Sequence, residues 1–133
     1  MKNILIVLLL PLSSNIFADW TKVGDGNNAT AYVDFQTIKK KRKKVIIWSM
    51  LDFKVAQKDV GTDNDNVKYL STMSRDEHDC EEGTIRILDI YSFSGNMRKG
   101  DVIFSLSNVK DKPESILPGS LTEKLFKAAC SSK

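Results

Sequence analysis

Lys44-Val-Ile-Ile-Trp-Ser-Met-Leu-Asp-Phe-Lys-Val55 is the stretch on which the fold turns. Two-residue alternation puts Val45, Ile47, Leu51 and Phe53 on one face of a strand and Ile46, Trp48 and Met50 on the other. A strand that is apolar on both faces has to be covered on both. It therefore belongs in the interior of a sheet, or under two covering layers.

The neighbours of this stretch supply the rest of that sheet. Upstream, Ala29 to Asp34 (ATAYVD) reads as a strand, and Gly24-Asp-Gly-Asn-Asn28 is dense enough in turn formers to be a hairpin loop. Asp19 to Val23 is a short edge strand. Downstream, the polar residues Ala56 to Asn66 form an exposed loop. Val67 to Asp79 and Thr84 to Ser94 are strands on either side of Cys80-Glu-Glu-Gly83, and Asp101 to Leu106 is the last. Between 19 and 107 no apolar repeat of 3.6 residues runs long enough for a crossover helix, so successive strands must join as hairpins and the sheet must be antiparallel.

The C-terminal stretch carries the helical signal. Ser120-Leu-Thr-Glu123 has the pattern of a capping box, which satisfies orphan backbone N–H groups at a helix start. Leu121, Leu125, Ala128 and Ala129 fall on one helical face with Phe126 beside it. The sheet is the partner available to bury that face. The predicted fold is α+β: an antiparallel sheet of about six strands with a C-terminal helix packed on one face.

Length and composition bound what such a domain can do. The chain has 133 residues, 41% hydrophobic and 28% charged, which suits one folded domain and excludes a disordered tail or a polytopic membrane protein. Two cysteines and one histidine exclude a four-thiolate zinc site and leave little for histidine-based catalysis. Residues 1–18 have the build of a secretory signal peptide: Lys2, the apolar run Ile4 to Leu12, a polar stretch, and small Ala18 at the expected cut. The run is shorter than the about 20 residues that cross a bilayer. No cysteine stands near the cut, so no lipid anchor is expected. The mature domain is then 19–133, exported to the periplasm, the cell surface or the medium. Outside the cytoplasm, Cys80 and Cys130 are expected to pair as a disulfide, the alternative being a reactive or metal-binding thiol.

An ordered set of residues resembles the surface-adhesin protein E family of proteobacteria. The set is Trp20, Tyr32-Val-Asp34, Val45 to Leu51, Asp79-Cys80, Tyr91-Ser92, Gly100, Pro118-Gly-Ser120 and Cys130. The resemblance implies an exported α+β domain with a Cys80–Cys130 bridge. It also implies a non-enzymatic role in binding host matrix or serum proteins, and the capacity to form a homodimer through the sheet.

Lys39-Lys-Lys-Arg-Lys-Lys44 is the outstanding local feature, six consecutive cations at the start of the central strand. The net charge of +3 conceals it. With Lys2 removed and these six set aside, 13 Lys and Arg face 17 Asp and Glu, an acidic remainder. A run projecting from a hairpin attracts polyanions by long-range steering. For an exported chain the expected partners are an acidic protein patch, a host glycosaminoglycan or an envelope polyanion such as lipopolysaccharide phosphate, and not nucleic acid. The alternative role is a solvated turn whose charges blunt a sheet edge.

Other clusters are weaker. Asp76-Glu-His-Asp79, with Glu81 and Glu82, suggests metal ligands, but alternation divides Asp76 and His78 from Glu77 and Asp79. Asp63-Asn-Asp65-Asn66 imitates the start of a calcium loop without the glycine at six or the glutamate at twelve. Asp34 and Asp79 have no acid–base partner, Ser120 is an N-cap, and no nucleophile signature surrounds His78. Trp20 and Trp48 are expected to pack rather than to serve as ligand platforms. No catalytic residue, cofactor or metal is expected. The leading expectation is an adhesin-like binding module. The second is a soluble periplasmic interaction protein, such as an inhibitor or accessory subunit of an envelope enzyme.

Overall fold

The computed structural model describes residues 19–58 and 67–132. The predicted signal peptide and the calcium-like stretch at 63–66 lie outside the described residues. Among the described residues, seven strands and one α-helix follow in order: β1 (Thr21–Asp25), β2 (Ala29–Lys41), β3 (Lys44–Lys58), β4 (Lys68–Asp79), β5 (Thr84–Phe93), β6 (Val102–Leu106), β7 (Glu114–Ser115) and α1 (Leu121–Ser131). The first six pair as one antiparallel meander in chain order, and the two-residue β7 pairs with β5 beyond the end of β6. The stretch 44–55 lies, as expected, inside the sheet, hydrogen-bonded to β2 on one side and β4 on the other.

Two departures from the sequence-based boundaries have a physical cause. β2 does not stop at Asp34 but runs on through the basic residues to Lys41. It does so across a bulge in which Phe35 to Ile38 oppose Ile47 alone. Asp34 holds this bulge: its carboxylate accepts from the Gln36 N–H (3.0 Å), while its carbonyl accepts from Thr37 Oγ1 (2.7 Å). The Thr37 hydroxyl oxygen also accepts the Trp48 N–H at 3.1 Å. β3 bulges likewise between Asp52 and Gln57 and continues to Lys58, where the sequence suggested a loop from Ala56.

The helix packs on the face of the sheet that carries Val45 and Ile47. Ala31, Val33, Val45, Ile47, Leu125 and Ala129 form the buried core, with Val23, Ile38, Leu51, Leu121 and Ala128 against it. Ser120 Oγ accepts from the Glu123 N–H (3.2 Å), which is one half of the capping box. The other half is replaced. The Ser120 N–H donates to the Leu117 carbonyl, and Glu123 pairs with Lys127 one turn on, at 3.4 Å.

The second face is covered by shorter means. Met50 is buried there, and Trp48 packs on Tyr91 with ring centroids 6.2 Å apart. A turn at Asn96–Arg98 folds onto β3 and β4. Asn96 Nδ2 and the Met97 N–H both donate to Asp52 Oδ1, at 3.1 and 2.8 Å, and the Arg98 N–H donates to Ser71 Oγ at 3.0 Å.

Cys80 and Cys130 form a disulfide with a Cα–Cα separation of 5.7 Å. It joins the β4–β5 turn to the last turn of α1, as expected.

Candidate functional site

The six cations occupy the β2–β3 hairpin, and register decides where each one points. Lys41 pairs with Lys44, leaving Arg42 and Lys43 as a two-residue turn. Arg42 has a φ of +59°, the left-handed backbone that such tight hairpin turns demand. Lys39 and Lys41 share a strand face, while Lys40 alternates to the helix side and donates from Nζ to the Ser132 carbonyl beyond the end of α1. A cation there also complements the negative end of the helix dipole.

Opposite the hairpin the end of β4 and the β4–β5 turn present carboxylates. Lys43 pairs with Glu81 at 3.6 Å, and Lys44 with Glu77 at 3.7 Å. Glu77 also takes Arg86 at 3.1 Å. Lys41, Arg42, Lys43 and Lys44 line an open groove of about 580 Å³ together with Glu77, Asp79 and Glu81. The run is thus a mixed-charge rim, not a uniform basic strip. Among the described residues, Lys39, Lys41 and Arg42 have no acidic partner. The pairs that do form are solvent-exposed on the lysine side and are worth about 1 kcal/mol or less each.

The acidic residues singled out from sequence have structural work. Asp79 Oδ1 accepts from the N–H groups of Glu81 and Glu82 at 3.1 and 3.0 Å, which shapes the turn that carries Cys80. Asp34 holds the β2 bulge. Alternation divides the Asp76–Asp79 cluster as expected: Asp76 and His78 are buried beneath α1, and Glu77 and Asp79 lie on the other face. No group of three or more potential metal ligands exists among the described residues. His78 is fully buried with no hydrogen-bond partner on either nitrogen, and its ring lies 5.9 Å from that of Phe126. Burial pushes its pKa down to about 4.

Sequence reasoning missed Arg98. Its guanidinium carbon lies 5.9 Å from the ring centroids of both Trp20 and Phe93, cation–π contacts that fasten the chain before β1 to the 96–98 turn. Trp20 is far in sequence from Phe93 and Arg98, and the three carry no shared motif, so only the folded chain brings them together.

The described residues contain no helix long and apolar enough to cross a membrane. No curated protein matches the sequence significantly. Two solved structures of Haemophilus influenzae protein E share the fold, each at 11% identity. One gives a TM-score of 0.57 over 88% of this chain and 87% of that one, the other 0.59 over 92% and 94%. A third protein E structure, from a non-typeable strain, gives 0.51 over 91% of this chain and 78% of that one, again at 11% identity. The family model of surface-adhesin protein E matches residues 20–131, almost all of the folded domain. By that match the chain belongs to the surface-adhesin protein E family.

Proposed function

We propose that this chain is an exported, non-enzymatic adhesin that binds host matrix or serum proteins, with the β2–β3 hairpin as its contact for acidic protein patches or polyanions. Family membership over residues 20–131 carries the reading. The three cations without an acidic partner, Lys39, Lys41 and Arg42, supply the contact chemistry. Free positive charge at a hairpin tip steers an anionic partner from a distance and loses that pull as salt is raised.

The test is made on intact cells and on purified protein. Cells carrying the protein are expected to capture matrix or serum proteins, and external protease is expected to remove it. The variant with Lys39, Lys41 and Arg42 all replaced by Gln is expected to leave a heparin column at lower salt than the wild type. Unchanged retention would remove the hairpin from the reading. Protection from external protease, with recovery in the soluble periplasm, would replace surface adhesion by the second reading, a periplasmic interaction protein acting on an envelope enzyme.

A further inference from the structure

The sheet face beneath α1 is not wholly apolar. Ser49 and Asp76 are buried there, on neighbouring strands, and Ser74 stands beside them. Ser49 Oγ donates to Asp76 Oδ2 and lies 3.2 Å from Ser74 Oγ. Asp76 Oδ1 makes no hydrogen bond of ordinary geometry, although the residue is only 2% exposed. This polar floor belongs to a cavity of about 190 Å³. Leu51, Ile85, Ile87 and Leu125 form its walls. Asp111, Lys112 and Glu114 stand at its rim with Thr122 from the first turn of α1.

The charges at this site do not balance. Burial lifts the Asp76 carboxyl to about 6, against the pull of the Ser49 and Ser74 hydroxyls. An ionised carboxylate out of water costs several kcal/mol unless a cation or a full set of donors meets it. Lys112 lines the rim but forms no ion pair with Asp76. The rim itself, two carboxylates against one ammonium, adds a further negative charge.

We propose that this cavity is a binding site for a small organic ammonium, a primary amine carried on a short aliphatic or single-ring body. The ammonium would donate to Asp76 Oδ1 in a charge-assisted hydrogen bond, with Ser49 and Ser74 as neighbouring acceptors. The apolar body would lie against Leu51, Ile85, Ile87 and Leu125. An apolar cavity of about 150 Å³ takes a benzene ring, so this one has room for a ring with a one-carbon amine arm. The site is separate from the cationic hairpin, and its sign of charge selects the opposite kind of ligand.

The test uses the oxidised protein at pH 7.5 and two probes of one shape, benzylamine and benzyl alcohol, followed by amide chemical shifts and titration calorimetry. Benzylamine is expected to bind about tenfold or more tightly than the alcohol. It should shift the amides of Ser49, Ser74, Ile85 and Leu125. Asp76→Asn keeps the shape of the floor and is expected to erase the preference for the amine. Three results would each overturn the proposal: equal affinity for the two probes, wild-type shifts confined to other parts of the molecule, or no benzylamine binding to the wild type. A preference for the amine retained by Asp76→Asn would do the same.

Discussion

Asp76 and His78 are two residues apart on one face of β4, and burial displaces them in opposite directions. Asp76 rises from 3.8 to about 6. The folded protein therefore holds a proton that the unfolded chain has released, and this adds stability as pH falls from about 6 towards 3.8. His78 falls from 6.5 to about 4. The unfolded chain therefore takes up a proton that the folded core refuses, and this removes stability as pH falls from 6.5 towards 4. The two effects nearly cancel. Asp25, held down chiefly by Lys54, and Asp89, held down chiefly by the Asn108 N–H, act below 3.8 and leave the window clear. The wild type is expected to show little change in unfolding free energy between pH 6.5 and 4. Asp76→Asn removes the compensation and should lose about 3 kcal/mol across the same interval. Urea unfolding at a series of pH values measures both, and a flat profile for the variant would show that His78 is not sealed from protons.

At the scale of elements, glycine and bulges decide what alternation alone leaves open. The β5–β6 connection depends on Gly100, whose φ is +79°. A Cβ there would come 2.2 Å from Ser94 Oγ, and that hydroxyl oxygen already accepts the Asp101 N–H at 2.9 Å. Moving it aside breaks the hydrogen bond. Gly83 has a similar φ of +71° but open space around it. Gly100→Ala is therefore expected to cost about 2 kcal/mol or more, and Gly83→Ala about 1 kcal/mol, the backbone strain alone. Equal losses in thermal or urea unfolding would mean that Ser94 yields without penalty. A bulge likewise places the cations. The Asp34 bulge resets the register of β2, so that Lys40 reaches α1 while Lys39 and Lys41 face the other way.

At the scale of the molecule, one layer of helix lies over a single sheet, and their union rests on a small buried core and one covalent clamp. The Cys80–Cys130 bridge spans 50 residues of sequence, for which loss of chain entropy in the unfolded state corresponds to about 4 kcal/mol. Replacing both cysteines by serine should lower the urea midpoint by a corresponding amount. Hydrogen exchange should rise first in α1, because the clamp holds its last turn. Uniform exchange across helix and sheet would show instead that the two open as one unit.

The sheet and the helix were legible in the chain because they follow from local patterns, and the bridge because an exported chain with two cysteines has one way to pair them. Alternation over Lys44 to Val55 required an interior strand, the absence of a helical repeat before residue 107 required hairpins, and Ser120 with Leu125 and Ala129 marked a capped helix with one apolar face. The six cations were equally plain as a run. Their division between two faces and a turn was not, because it depends on a bulge held by Asp34 and Thr37 that has no periodic signature. The contacts of Arg98 with Trp20 and Phe93, and the unpartnered Asp76 oxygen beside Ser49 and Ser74, were also beyond reach. Each of these features needs a residue from a distant part of the chain, Trp20 in the first and Ser49 in the second. Periodicity fixes which face a side chain takes, but only the packed chain determines what stands opposite it.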